Sequence, residues 1–473
     1  MDKKKKGLLI LQVIGFLLVL GAGSAAVLFG AFEGKTYSEL EKRELAAFPD
    51  VKSQDIFNGN YEKDFTEALS DHMWGRDFFV TAKTGVQVAL GAREIDGVYI
   101  DGDRLIETYK DGDFDDKQIG ENISEVTGFM SAMTSSLGKD HVKMLLVPSK
   151  CTIYREDVPS YVPMSRRADT LAEELRQSLA EQLMQTEPSG PEEEDVEEEE
   201  DSTEEEDFSD TDSDEDIDFD FDEGDPEAEE TGDEDEDPDE PEESEEEEGD
   251  SQEGTEPTAL AMDENTAREA AAGMVMDLRP VLNDHKNEPI YYLTDHHWTS
   301  LGALYAYEAL MGSANKKLTE MKTVSSDFLG TDYNRIHYYK NKDEIRQYII
   351  PEADTAGIEI NDSGDVTKRD SIYDTKALEG ADKYNYFFSG NYSQVTVNTG
   401  TKNGKTLLIV KDSYSNSLVP FLCRDYEKII MVDLRYVNAS IYDYLPEDKK
   451  PDDVWIIYNE EKFMQDTHQG YLK

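Results

Sequence analysis

Residues 405–417 read KTLLIVKDSYSNS, and this stretch sets the fold class. Its first half, 405–410, is an apolar run of strand length, the pattern of a strand covered on both faces. Its second half turns polar at Lys411, Asp412 and Ser413, and a helix is expected to start over 416–423. Three more runs of the same kind are VKMLLV at 142–147, KIIMVD at 428–433 and DVWIIY at 453–458. Helical periodicity fills intervals between them at 119–137, 167–185, 264–282 and 299–312, the last with Thr299 or Ser300 as N-cap. Residues 289–298, PIYYLTDHHW, read as a β-branched and aromatic strand, and 95–107 as a hairpin turning on Asp-Gly. Apolar strands alternating with helices predict an α/β domain with a mostly parallel sheet.

In such sheets the chemically active groups gather just past the carboxyl ends of the strands. Two segments qualify: LTDHHW at 293–298 and KDSYS at 411–415. Side chains alternate along an extended chain, so Asp295 and His297 are expected to share a face and His296 to point away. Asp295 can then orient His297, and His297 can take a proton from a serine hydroxyl. Ser413, directly after a strand and at a helix start, is the candidate nucleophile. Its own N–H, with free N–H groups of that helix and the Asn416 side chain, could form an oxyanion hole. Arg435 and His296 are further candidates for substrate contact, although an ion pair suits Arg435 equally well. Asn416, Arg435 and His296 are therefore secondary to Asp295, His297 and Ser413. This chemistry needs no cofactor. A metal centre on the adjacent histidines would need further ligands from other loops. His72, His141, His285, His337 and His468 are not expected to join them, so no metal is assigned.

The chain has 473 residues and a net charge of −61. Residues 187–256 hold 43 acidic side chains and no Lys or Arg, which leaves about −18 elsewhere. So polar a stretch cannot bury enough apolar area to offset chain entropy, and 187–257 is expected to be a disordered insertion. A cation sponge and a repulsive spacer are alternatives to a simply tolerated loop. No basic stripe exists to neutralise phosphates, which argues against nucleic acid as a partner. At the other end, Lys3 to Lys6 precede an uncharged apolar stretch, 7–32, long enough to cross a bilayer. The positive-inside rule puts residues 1–6 in the cytoplasm and everything after Glu33 outside. A cleaved signal peptide is the competing reading, and the length of the run favours an anchor. Cys151 and Cys423 are the only cysteines, as one bridge or as two buried thiols.

FPDVK (48–52), DHMWGRD (71–77), DGVYI (96–100), LLVPSK (145–150), MDLRPVL (276–282), YYLTDHHWTSLGA (291–303) and KDSYSNSLVPFL (411–422) together resemble the DHHW family of membrane-anchored bacterial proteins. That family is similar, more remotely, to the SGNH-like acetyltransferases of alginate O-acetylation, in which an Asp-x-His motif precedes the serine. The resemblance implies an SGNH-hydrolase-like domain, in two parts at 95–186 and 258–473, after a membrane-proximal segment at 33–94. It also implies acetyl transfer to or from a surface polysaccharide, and a membrane-bound O-acyltransferase as partner. The alternative is a non-catalytic envelope binding or scaffold protein that keeps the fold.

Overall fold

The computed structural model describes residues 7, 12–18, 21, 36–38, 43–50, 60–73, 75–185, 262–312, 318–362, 364–445 and 450–473. The acidic stretch expected to be disordered, 187–257, and most of the expected anchor, 7–32, lie outside these residues. Among the described residues no helix is long and apolar enough to cross a membrane. The long helices are α1 (Asn60–Asp71), α2 (Arg76–Ala89), α3 (Asp116–Leu137), α4 (Ala168–Gln185), α5 (Glu264–Met274) and α6 (Ser300–Met311).

A mixed eight-stranded sheet organises the chain. Its strands are β1 (Val142–Val147), β2 (Val275–Asp277), β3 (Gly357–Asp362), β4 (Asp365–Arg369), β5 (Gln394–Asn398), β6 (Thr406–Lys411), β7 (Lys428–Val432) and β8 (Asp453–Asn459). Their spatial order is β4-β3-β5-β7-β6-β8-β1-β2. From β7 to β2 every ladder is parallel, while β5, β3 and β4 add an antiparallel wing. The expected mostly parallel sheet is therefore the parallel half of a mixed one.

Apolar runs form the parallel half because both faces are covered. Leu407, Ile409, Ile429, Met431, Trp455 and Ile457 pack on one side with α6 and residues 289–298. Leu408, Val410, Ile430, Val432, Val454 and Ile456 pack on the other against α3, α4 and α5. Each fully buried aliphatic side chain is worth roughly 1.5–3 kcal/mol. The parallel arrangement brings the carboxyl ends of β1, β6 and β8 to one edge, where the Asn459 N–H donates to Asp412 (2.7 Å). Cys151 and Cys423 are both free and buried.

Two expectations are corrected here. The helix expected over 264–282 ends at Met274, because Val275–Asp277 leaves it to pair with β1 at the sheet edge. Asp277 then holds Arg279, with Pro280 in the first turn of the next short helix. The strand expected over 289–298 is instead a closed loop. A single bridge joins Tyr291 to Trp298, and the Thr299 N–H returns to the Ile290 carbonyl. At its centre a side chain stands in for a ladder: the buried Asp343 carboxylate accepts from the N–H groups of Leu293 (2.6 Å) and Thr294 (2.7 Å). The expected hairpin at 95–107 is a three-stranded meander of Glu94–Ile95, Val98–Asp101 and Arg104–Glu107.

Asp343→Ala strips this loop of its acceptor and leaves the buried Thr294 N–H and the half-buried Leu293 N–H unpaired. It is expected to cost about 3 kcal/mol, read as a lowered midpoint in denaturant unfolding.

Candidate active site

Ser413 lies two residues past the end of the apolar strand β6 and begins a 3₁₀ helix, Ser413–Ser417. Asp412 caps that helix: its Oδ1 accepts the Tyr414 N–H (2.9 Å) and its Oδ2 the Asn459 N–H. The Ser415 N–H reaches the Asp412 carbonyl. Capping therefore consumes the second and third N–H groups of the turn and leaves the first, that of Ser413 itself. Of residues 410–423, Ser413 alone is not buried. The serine is thus open to solvent on an otherwise sealed turn.

Across the sheet edge, His297 Nε2 lies 2.8 Å from Ser413 Oγ. His297 Nδ1–H donates to Asp295 Oδ1 (2.6 Å), and the His297 backbone N–H donates to the same oxygen (2.9 Å). Asp295 and His297 do share a face, but through this tight turn rather than through strand alternation. The other carboxylate oxygen accepts the N–H (2.8 Å) and hydroxyl (3.0 Å) of Thr331. Burial raises the Asp295 carboxyl. The His297 and His296 rings and the hydrogen bonds outweigh that and hold it well below the usual carboxylate range. Asp295 therefore stays ionised and fixes the His297 tautomer, leaving Nε2 to face the serine.

Three aromatic side chains hold the two loops together. Trp298 Nε1 donates to the Tyr414 carbonyl (2.9 Å), and the Tyr414 hydroxyl donates back to the His296 carbonyl (2.7 Å). Tyr384 stacks flat on His297, with ring centroids 3.9 Å apart and planes 10° apart, and its hydroxyl donates to the Ser413 carbonyl (3.1 Å). Tyr384, Thr331 and Gly330 are site residues that sequence reasoning missed. Their surroundings in the chain carry no motif, and only tertiary contact gives them a role.

The remaining candidates divide. Asn416 is buried beside Ser413, with its Oδ1 accepting from Lys411 (2.8 Å). His296 is tied to the Thr331 hydroxyl and faces a small cavity lined by Tyr109, Lys150, Cys151 and Lys462. Burial, reinforced by the adjacent His297, pushes its pKa well below normal. Arg435 clasps Asp433 with two hydrogen bonds (2.8 and 2.6 Å), so the ion pair takes the role considered for substrate. Asp295, His296 and His297 each offer one ligand atom within 4.8 Å of the others. A cation there would have to displace the hydrogen bonds to His297, Thr331 and Ser413. His141 and His285 pair with Asp453 and Glu288, each over one hydrogen bond.

Gly330 makes room for the carboxylate: a Cβ there would sit 2.1 Å from the Cβ of Asp295. Gly330→Ala is expected to drive Asp295 off His297 and to destabilise by about 1–3 kcal/mol, read by thermal melting. Gly273→Ala, in α5 with nothing within 4 Å, is the control that should not lower the melting temperature.

The family model described as DHHW protein matches residues 256–432. No curated protein matches the chain. Among solved structures, a DHHW family protein from Eubacterium siraeum is similar at 20% identity and a TM-score of 0.45, over 80% of this chain and 95% of that one. Bacillus cereus PatB1, solved with a sulfonyl adduct, is similar at 14% identity and a TM-score of 0.48, over 80% and 98%. The O-acetyltransferase domain of Pseudomonas putida AlgJ is similar at 11% identity and a TM-score of 0.35, over 78% and 93%. The stretch that matches the DHHW family model, residues 256–432, contains Asp295, His297 and Ser413.

Proposed function

We propose that the chain is a serine-dependent O-acetyltransferase or acetylesterase acting on a cell-surface polysaccharide. The observation that carries this reading is the position of His297, bonded at once to Asp295 Oδ1 (2.6 Å) and Ser413 Oγ (2.8 Å). A serine hydroxyl alone is a poor nucleophile. As Ser413 Oγ attacks the acyl carbonyl, His297 Nε2 takes its proton, and Asp295 stabilises the resulting imidazolium. The Ser413 N–H faces the developing oxyanion. Collapse of the tetrahedral species expels the donor's alkoxide, which takes the proton back from His297. A sugar hydroxyl or water then attacks the acyl-Ser413 by the same steps in reverse. Acetyl is the group that the resemblance to alginate acetyltransferases implies. The same resemblance supports a membrane-bound O-acyltransferase as partner. The run at 7–32 supports a single-pass anchor with the catalytic domain outside the cell membrane.

The test is a chromogenic acetyl ester given to the full chain, with peptide mapping of the acyl adduct. The adduct is expected on Ser413. Ser413→Ala and His297→Ala are expected to lose about 10³-fold or more in kcat, and Asp295→Asn about 10²–10⁴-fold. Full activity in Ser413→Ala, or no adduct on Ser413 in the wild type, would end this reading.

A further inference from the structure

Lys411 is two residues from Ser413 and only 1% exposed. A buried ammonium is costly unless paired. Yet its nearest carboxylate, Asp433, is 3.7 Å away and already clasped by Arg435. The short hydrogen bonds of Lys411 go instead to two neutral amides: Asn391 Oδ1 (2.7 Å) and Asn416 Oδ1 (2.8 Å). An ammonium can only donate. Both amides must therefore turn their oxygens to Lys411 and their N–H edges away from it. Asn416 Nδ2 spends one hydrogen on Asn391 Oδ1 (3.3 Å) and keeps the other. Asn391 Nδ2 has no acceptor among the described residues. Ser413 and Asn416 are residues i and i+3 of a 3₁₀ helix, and in that helix side chains at this spacing eclipse. Asn416 thus shares a helix face with the nucleophile.

We propose that Lys411 is a positioning residue: with Asn391 as its second acceptor, it locks the Asn416 carboxamide so that the Asn416 N–H edge is presented to the oxyanion formed at Ser413. This rests on the serine-dependent reading above. The lock needs the charge on Lys411. Burial lowers its pKa, with Arg435 acting in the same direction and Asp433 and Asp412 opposing, to about 8. Of these groups, Asp412 is next to Lys411 in the chain, and Asp433 and Arg435 lie just past β7. Below that pH the ammonium holds both amides. Above it a neutral amine can accept, and either amide is free to flip.

The experiment compares full-length wild type, Lys411→Met and Asn416→Asp on a chromogenic acetyl ester, with pH profiles. Lys411→Met is expected to lower kcat about 30- to 100-fold at KM within about twofold, and to abolish an alkaline decline near pH 8 that the wild type shows. Asn416→Asp, whose carboxylate cannot donate, should lose as much kcat. Removing Lys411 leaves Asp433 paired with Arg435, so Lys411→Met should melt close to wild type. A variant that fails to fold would overturn the assignment. So would an unchanged kcat, or an alkaline decline that persists in Lys411→Met. Asparagine-selective isotope labelling reads the lock without reference to turnover. The Asn391 and Asn416 side-chain amide signals should move near pH 8 in wild type and be altered in Lys411→Met. Unmoved signals overturn the lock even if Ser413 is acylated. Moving signals without an adduct on Ser413 overturn the serine reading and leave the lock in place.

Discussion

The site depends on two reciprocal hydrogen bonds between loops 116 residues apart in the chain. The indole of Trp298 donates to the carbonyl of Tyr414, and the hydroxyl of Tyr414 donates to the carbonyl of His296. Each is buried or nearly so, and each is worth about 0.5–1.5 kcal/mol net. Their effect on geometry exceeds their energy. They fix one loop against the other on both sides of the His297–Ser413 contact. The flat ring of Tyr384 bounds the third side. A proton can pass from an alcohol to an imidazole only if their separation is maintained to a fraction of an ångström, and side chains on free loops would not maintain it.

The contrast within the chain is instructive. Asp466 and His468 repeat the Asp-x-His geometry: the His468 backbone N–H donates to Asp466 Oδ1 at 2.9 Å and the ring Nδ1 meets the same oxygen at 2.7 Å. The turn is therefore a local property of those three residues, reached wherever they occur with freedom to close. Among the described residues no serine hydrogen-bonds to the His468 ring. That ring is 40% exposed and stacks beside Tyr471. The motif alone does not make the site. Burial of Asp295 under Thr331 and Gly330, and the arrival of Ser413 from another strand, do.

This explains which features were legible. The central parallel strands declare themselves because both faces are covered, so Leu407 to Val410 and Val454 to Ile457 are apolar without interruption. The antiparallel wing is silent. Asp365–Arg369 is exposed throughout, and Gln394–Asn398 has only Val395 and Val397 facing the core. Residues 289–298 have strand composition, yet Asp343 takes the N–H groups that a ladder would have used. Ser413, His297 and Asp295 were readable as residue types at strand ends. The positions that hold them were not, because a glycine such as Gly330 shows its purpose only once Asp295 lies against it.

The described residues that flank the acidic stretch in sequence meet on the folded domain. Leu183, near the close of α4, accepts a hydrogen bond from the N–H of Met262, just before α5 begins (3.3 Å). Those two helices pack together on the sheet face opposite the loop that carries Asp295 and His297. The polypeptide thus departs and returns through a single doorway. The cost of closing such an excursion grows only with the logarithm of its length. Each doubling of an excursion at that doorway therefore costs the domain only about 0.6 kcal/mol.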